Sequence, residues 1–127
     1  MAGYSGTPLP RKLGVKEESV VRLVGAPPGF RLPEVTLSDR TPFDVALWFP
    51  ADRAAFVAGL PGLRAAMAPA AGLWVCWPKK AARIPTDLGE DVIREVALPT
   101  GLVDNKVCAV DEVWSALRLV IRRGLRG

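Results

Sequence analysis

Phe43-Asp-Val-Ala-Leu-Trp-Phe49, closed by Pro50, and Leu73-Trp-Val-Cys-Trp77, closed by Pro78, are the stretches that decide the fold. Neither alternates apolar with polar residues. A strand made from either must therefore be buried on both faces, which is the condition of an interior strand in a parallel sheet. A third run, Val20-Val-Arg-Leu-Val24, is rich in β-branched residues and is broken sharply by Gly25-Ala-Pro-Pro-Gly29. The three runs are expected to be neighbouring parallel strands covered by helices.

The segments between them carry helix signals. Asp52 is placed to cap a helix with apolar positions Ala55, Phe56 and Leu60. Pro61-Gly62 is expected to interrupt it, with a second helical stretch over Leu63–Met67. Thr86 or Asp87 caps a further helix, and Asp87 with Glu90 has the spacing of a capping box. Leu88, Val92 and Val96 form its expected buried stripe, and Pro99 and Gly101 end it. Near the N-terminus, Thr7-Pro8 starts a short helix that Gly14 terminates. Pro33–Leu37 is read as a short extended segment.

Toward the C-terminus, Val103–Val110 reads as a strand and Asp111-Glu112 as a turn. Trp114–Ile121 fits a helix through Leu117, Val120 and Ile121, and fits a strand through its β-branched and aromatic content. The strand is chosen, paired with its predecessor in an antiparallel hairpin. Strands alternating with helices define an α/β fold. The expected architecture is a single domain over residues 1–127, a small three-layer sandwich. Its mostly parallel sheet is closed by the C-terminal hairpin, with an arm and short helix over residues 1–14 and a basic tail over 122–127.

Half of the 127 residues are hydrophobic at a formal net charge of +4, which excludes a disordered chain. No apolar run approaches the ~20 residues that span a bilayer, and the first residues lack the apolar region of a signal peptide. The expectation is a cytoplasmic protein with no membrane partner. Cys76 and Cys108 sit in apolar runs outside any C-x-x-C motif and are read as buried, reduced thiols. Histidine is absent, which removes the commonest metal ligand and the commonest general base near neutral pH. No metal or cofactor is expected. Arg118, Arg122, Arg123 and Arg126 make the last ten residues basic, a composition that meets polyanions weakly and without sequence preference.

Ligands of open α/β sheets bind beyond the carboxyl ends of the strands. Here those ends are Gly25–Phe30, Pro50–Asp52 and Pro78–Lys80. Trp77-Pro-Lys-Lys80 places two ammonium groups beside an aromatic face, a combination suited to a phosphate, a carboxylate or a nucleotide base. The expected ligand-binding residues are Gly25, Gly29, Trp77, Lys79 and Lys80. The competing reading pairs the lysines with the acids at Asp87, Glu90 and Asp91. Trp48, Trp74 and Trp114 are read as core or subunit contacts, and Asp104 and Asp111 as residues that terminate structure. The serines lack a Gly-x-Ser-x-Gly context, and no catalytic residue is assigned.

The order of elements, with Ala68-Pro-Ala-Ala-Gly-Leu73 leading into a strand and a hairpin closing the chain, resembles the Rossmann-like sheet of class I methyltransferases. Gly25–Gly29 stands where that family has its glycine-rich loop. Its two prolines remove backbone N–H donors, and the preceding strand has no acidic residue, so adenosylmethionine binding is not expected. A second resemblance runs nearly end to end. It rests on Ser5-Gly-Thr-Pro-Leu9, Lys12-Leu-Gly14, Trp77-Pro-Lys-Lys80, Thr86-Asp-Leu88, Ala97-Leu-Pro-Thr-Gly-Leu-Val103, Lys106-Val-Cys-Ala-Val-Asp111 and Trp114-Ser115. These residues are similar to the bacterial family designated domain of unknown function 3052. That resemblance implies no activity. The residues favour a non-catalytic binding or regulatory module for a small anionic or nucleotide-like ligand or a protein partner. A divergent methyltransferase-like enzyme is the alternative, weak nucleic-acid binding by the basic tail comes after it, and self-association is left open.

Overall fold

A computed structural model describes residues 7–126. The expected arm over residues 2–6 and the last residue of the basic tail lie outside the described residues. The three apolar runs form β1 (Val21–Val24), β2 (Phe43–Trp48) and β3 (Met67–Pro78). They pair in parallel as expected, with Val24 beside Trp48 and Trp48 beside Val75. β4 (Leu102–Ala109) and β5 (Trp114–Ile121) form the antiparallel hairpin, and β5 docks on β3 to give the order β1-β2-β3-β5-β4. Composition explains which hairpin strand lies inside. Trp-Ser-Ala-Leu-Arg-Leu-Val-Ile is mostly apolar and buried, whereas β4 carries Asp104, Asn105 and Lys106 at the edge. A register shift between Asp104 and Lys106 bulges that edge, which discourages further pairing.

The unbroken apolar runs serve two cores. On one face Ala46, Trp48, Leu73, Val75, Leu117 and Leu119 meet Phe56 and Leu60 of α2 (Arg53–Ala65) and Ile93 and Ala97 of α3 (Glu90–Ala97). On the other face Val45, Leu47, Phe49, Trp74, Cys76 and Ala116 meet Leu13, which follows α1 (Leu9–Lys12), and Leu32 of the irregular segment after β1. Over the described residues the fold is thus α/β, with an open, mixed five-stranded sheet and three α-helices. Among the described residues no helix is long and apolar enough to cross a membrane.

Two irregular features position the second face. The Trp74 indole N–H donates to the Leu13 carbonyl at 3.0 Å, which fastens the end of α1 onto the sheet; Gly14 follows at φ +84° and turns the chain away. The connection from β1 to β2 contains no helix. Arg22 holds its far end, donating from Nη2 to the carbonyls of Asp39 and Arg40 and to the Thr41 hydroxyl, while its guanidinium lies over Phe43.

Several boundaries differ from expectation. Pro61 does not interrupt α2, which runs through it for 13 residues. Pro61 can donate nothing to the Val57 carbonyl four residues earlier, but both residues are exposed, so the lost bond does not strand a polar group in the core. Asp87 does not cap α3, whose N-cap is Gly89; its carboxylate accepts the Arg53 N–H at 2.7 Å and supports the start of α2 beside Asp52, which caps Ala55. Ile93 and Ala97 carry the centre of the buried stripe of α3, with Val92 and Val96 half-buried at its margins. Thr7 does not cap α1, whose N-cap is Pro8. Cys76 is buried but Cys108 is only half-buried, because β4 is an edge strand. Pro33–Leu37 forms no strand, and only Leu37 bridges to Val21.

Candidate functional site

The parallel pairing brings the ends of β1, β2 and β3 to one rim, and the five expected ligand-binding residues leave it in different directions. Gly25, at φ +66°, folds back on β2. A Cβ there would lie 3.1 Å from the Phe49 carbonyl oxygen, so the glycine serves a close backbone approach. Trp77 packs against the core shared with α2 and α3. Lys79 turns to the β4–β5 turn, where its ammonium donates to the Asp111 carbonyl and its N–H donates to Val113 at 2.7 Å. Lys80 is exposed and opens a single 3₁₀ turn, Lys80–Ala82. The acids of α3 do not take the lysines as partners. Glu90, Asp91 and Asp104 all face Arg94, at 2.8, 3.2 and 3.0 Å. Arg94, chiefly by hydrogen bonding, holds the Asp104 carboxyl below its usual range.

Gly29 goes elsewhere. Pro27-Pro28-Gly29-Phe30 closes a turn through the Phe30 N–H and the Pro27 carbonyl at 3.1 Å, with Gly29 at φ +81°. Proline at the second position and a left-handed glycine at the third are the requirements of a type II turn. The loop sequence is therefore a backbone device, and it aims Phe30 back at the sheet. Phe30 meets the Phe49 ring edge-on at 4.9 Å, and Phe49 meets Trp114 at 5.1 Å and 90°.

Beyond Phe30 lies a cleft of about 930 Å³ between α1 and the segment from Gly29 to Thr36. Leu9, Pro10, Val15, Phe30, Pro33 and Val35 give it apolar walls, and Val21 and Val110 also line it. Arg11, Lys16 and Arg31 bring positive charge; Glu17, Glu34 and Asp111 bring negative charge. Asp111 is already engaged, since its Oδ1 accepts the N–H groups of Val113 and Trp114 at 2.8 Å each. Glu34 sits at φ +62°, a left-handed conformation that is costly for a residue with a Cβ. Of the expected residues, only Gly29 lines this cleft, and Lys79 reaches its wall through the Asp111 carbonyl. The other lining residues were not legible as a site because they come from two irregular segments with no motif spacing. The Pro-Pro-Gly turn was the one local signal.

The cysteines lie on the same side of the sheet as the cleft. Cys76 and Cys108 both face Ala116 of β5, which runs between them. Two strand spacings of about 4.8 Å put their backbones beyond the reach of a disulfide. Burial pushes the Cys76 thiol well above its ordinary pKa, with Cys108 and Asp111 adding to the shift. Burial also raises Cys108, against the pull of Lys12 and Lys106. Neither thiol has the lowered pKa of a nucleophile.

The fold and cleft define an α/β protein with an open mixed sheet and a surface cleft over the second face of that sheet. Comparison with family models and with curated proteins finds no match.

Proposed function

We propose that the chain is a non-catalytic binding module whose small ligand, anionic and nucleotide-like, occupies the cleft between α1 and the Gly29–Thr36 segment. The observation that carries this reading is the cleft itself, whose volume lies in the upper part of the roughly 300–1,000 Å³ range of small-molecule sites. Its composition suits such a ligand. Phe30 and the prolines offer surfaces for a flat group, and Arg11, Lys16 and Arg31 offer donors for an anion. Binding without turnover is favoured because the chain has no histidine and because the Asp111 carboxylate is committed to the hairpin turn.

Three finer readings belong to the same proposal. The sheet is a reduced Rossmann-like scaffold of the methyltransferase kind, supported by the parallel β1-β2-β3 order and the antiparallel closing hairpin. The chain is a member of the domain of unknown function 3052 family, on the residues quoted above. It resides in the cytoplasm, where the free thiols of Cys76 and Cys108 stay reduced.

A thermal-shift panel of nucleotides, sugar phosphates and small carboxylates tests the function. A nucleotide at 100 times its dissociation constant adds about 2.7 kcal/mol, or roughly 10 °C for a domain of this size. Arg31→Gln with Lys16→Gln, both exposed, is expected to abolish that shift without lowering the ligand-free melting temperature. A panel with no stabilising member, or a shift that survives the double substitution, contradicts the reading.

A further inference from the structure

The opposite end of the sheet from the strand-end rim gathers arginines that the cleft does not use. β5 finishes there at Ile121, next to the start of β4 and the last turn of α2. Arg122 donates its backbone N–H to the Gly101 carbonyl at 2.9 Å. Arg64, in the last turn of α2, reaches the same glycine, its Nη2 lying 3.7 Å from where a Gly101 Cβ would stand. Arg126 folds back so that its Nε donates to the Ile121 carbonyl at 2.8 Å. Arg118 lies along the sheet over Gly72, where a Cβ would come within 2.5 Å of its Nε. The missing side chain at Gly72 is what lets Arg118 lie there. Arg123 is exposed and starts the 3₁₀ turn Arg123–Leu125.

Among the described residues none of these five side chains has a carboxylate within 4.0 Å, and every ion pair belongs to Arg94. Among the described residues Arg64 Nε is buried with no hydrogen-bond partner, and Arg118 makes only a long side-chain contact, its Nη1 donating to the Asn105 amide oxygen Oδ1 at 3.4 Å. Burial lowers the Arg118 pKa, and the nearby charge of Arg126 adds to the effect. Guanidinium groups that are partly removed from water and crowded by like charge are stabilised by an anion that meets several of them. The C-terminal end of α2 favours Arg64 but offers no bidentate acceptor.

We propose that Arg64, Arg118, Arg122, Arg123 and Arg126 form a second anion site, which recognises phosphate groups spaced along a chain. The arginines come from three elements and spread around the end of the sheet, which suits a linear series of phosphates better than one compact ion. Such a series is presented by single-stranded nucleic acid and by inorganic polyphosphate.

The test is fluorescence anisotropy of the full chain with a labelled single-stranded oligonucleotide, with inorganic polyphosphate as competitor. Contact with about four phosphates predicts a log–log salt slope near −2.8, or about 50-fold weaker binding between about 50 and about 200 mM salt. Arg122→Gln with Arg123→Gln is expected to halve the slope, leaving about a 7-fold loss over the same interval. Gly72→Ala, which displaces Arg118 and touches neither exposed arginine, is expected to weaken binding as well. Arg31→Gln in the cleft is expected to leave it unchanged, which separates this site from the one proposed above. Equal competition by polyphosphate, per phosphate, assigns recognition to the phosphates alone; a several-fold preference for the oligonucleotide assigns nucleic acid as the source. No binding of either polymer at about 50 mM salt, or a slope unaltered by the double substitution, overturns the proposal.

Discussion

Lys79 and Lys80 are neighbours in sequence with opposite fates. Lys79 spends its ammonium and its N–H on the β4–β5 turn, whereas Lys80 points to water. Lys79→Ala is expected to cost about 1–2 kcal/mol, because it strips a charged donor from a half-buried carbonyl. Lys80→Ala is expected to stay within about 0.5 kcal/mol. Urea unfolding of the two single variants measures both, and equal costs would contradict the assignment. Asp104 supplies a pH signature. Its folded-state pKa is lowered by Arg94, so its contribution is fully present above the ordinary aspartate value of about 3.9. The contribution is lost as pH falls through the lower, folded value. Asp104→Asn is expected to be less stable than the parent chain near neutrality and to converge on it in acid, as followed by melting temperature against pH. A difference that does not shrink at all as pH falls from neutrality into strong acid would assign the loss to packing instead. Residue identity alone could not reveal either arrangement, since the partners lie 32 and 10 positions away and were fixed only when β5 and α3 docked.

The strands were the legible elements. Phe43–Phe49 and Leu73–Trp77 are apolar at nearly every position, and the two cores use alternate residues of each, which is what a run without alternation demands. Trp114–Ile121 was ambiguous until its place between β3 and β4 made both of its faces interior. The helix signals were less reliable because exposure decides them. Pro61 is tolerated where its missing bond faces water, and Asp87 caps the neighbouring helix rather than its own. Helix α2 offers a sharp test through its two glycines. Alanine in a helix is normally better than glycine by about 1 kcal/mol. At Gly62 nothing lies within 4 Å of the added Cβ, so Gly62→Ala is expected to stabilise by about 0.5–1 kcal/mol. At Gly59 the Cβ would stand 2.7 Å from Trp48 Cζ2, in the buried contact between α2 and β2. Overpacking costs about 1–3 kcal/mol and outweighs the propensity gain, so Gly59→Ala is expected to destabilise. Thermal unfolding of both variants decides the matter, and stabilisation by both would contradict the close approach of Gly59 to Trp48.

The molecule as a whole separates two chemistries on one sheet. The cleft over the second face joins apolar walls to mixed charge, while the arginines where β5 ends form no ion pair within 4.0 Å among the described residues. The second was the more visible in the sequence, because Arg118, Arg122, Arg123 and Arg126 are close in the chain, whereas the cleft, assembled from α1, an irregular crossing and the hairpin turn, showed only through Gly29 and its Pro-Pro-Gly turn. The aromatic series Phe30–Phe49–Trp114 runs inward from the cleft wall, so a ligand bound in the cleft would meet the first ring of that series. The central claim, that this cleft is the ligand site, is tested most directly by backbone amide chemical-shift mapping. The full chain is titrated with the nucleotide that most raises its melting temperature. The account predicts the largest shifts at Leu9–Lys16 and Gly29–Thr36, with smaller ones at Phe49 and Trp114. Shifts confined to Trp77–Arg83, or to Gly101 and Arg118–Arg126, would contradict it.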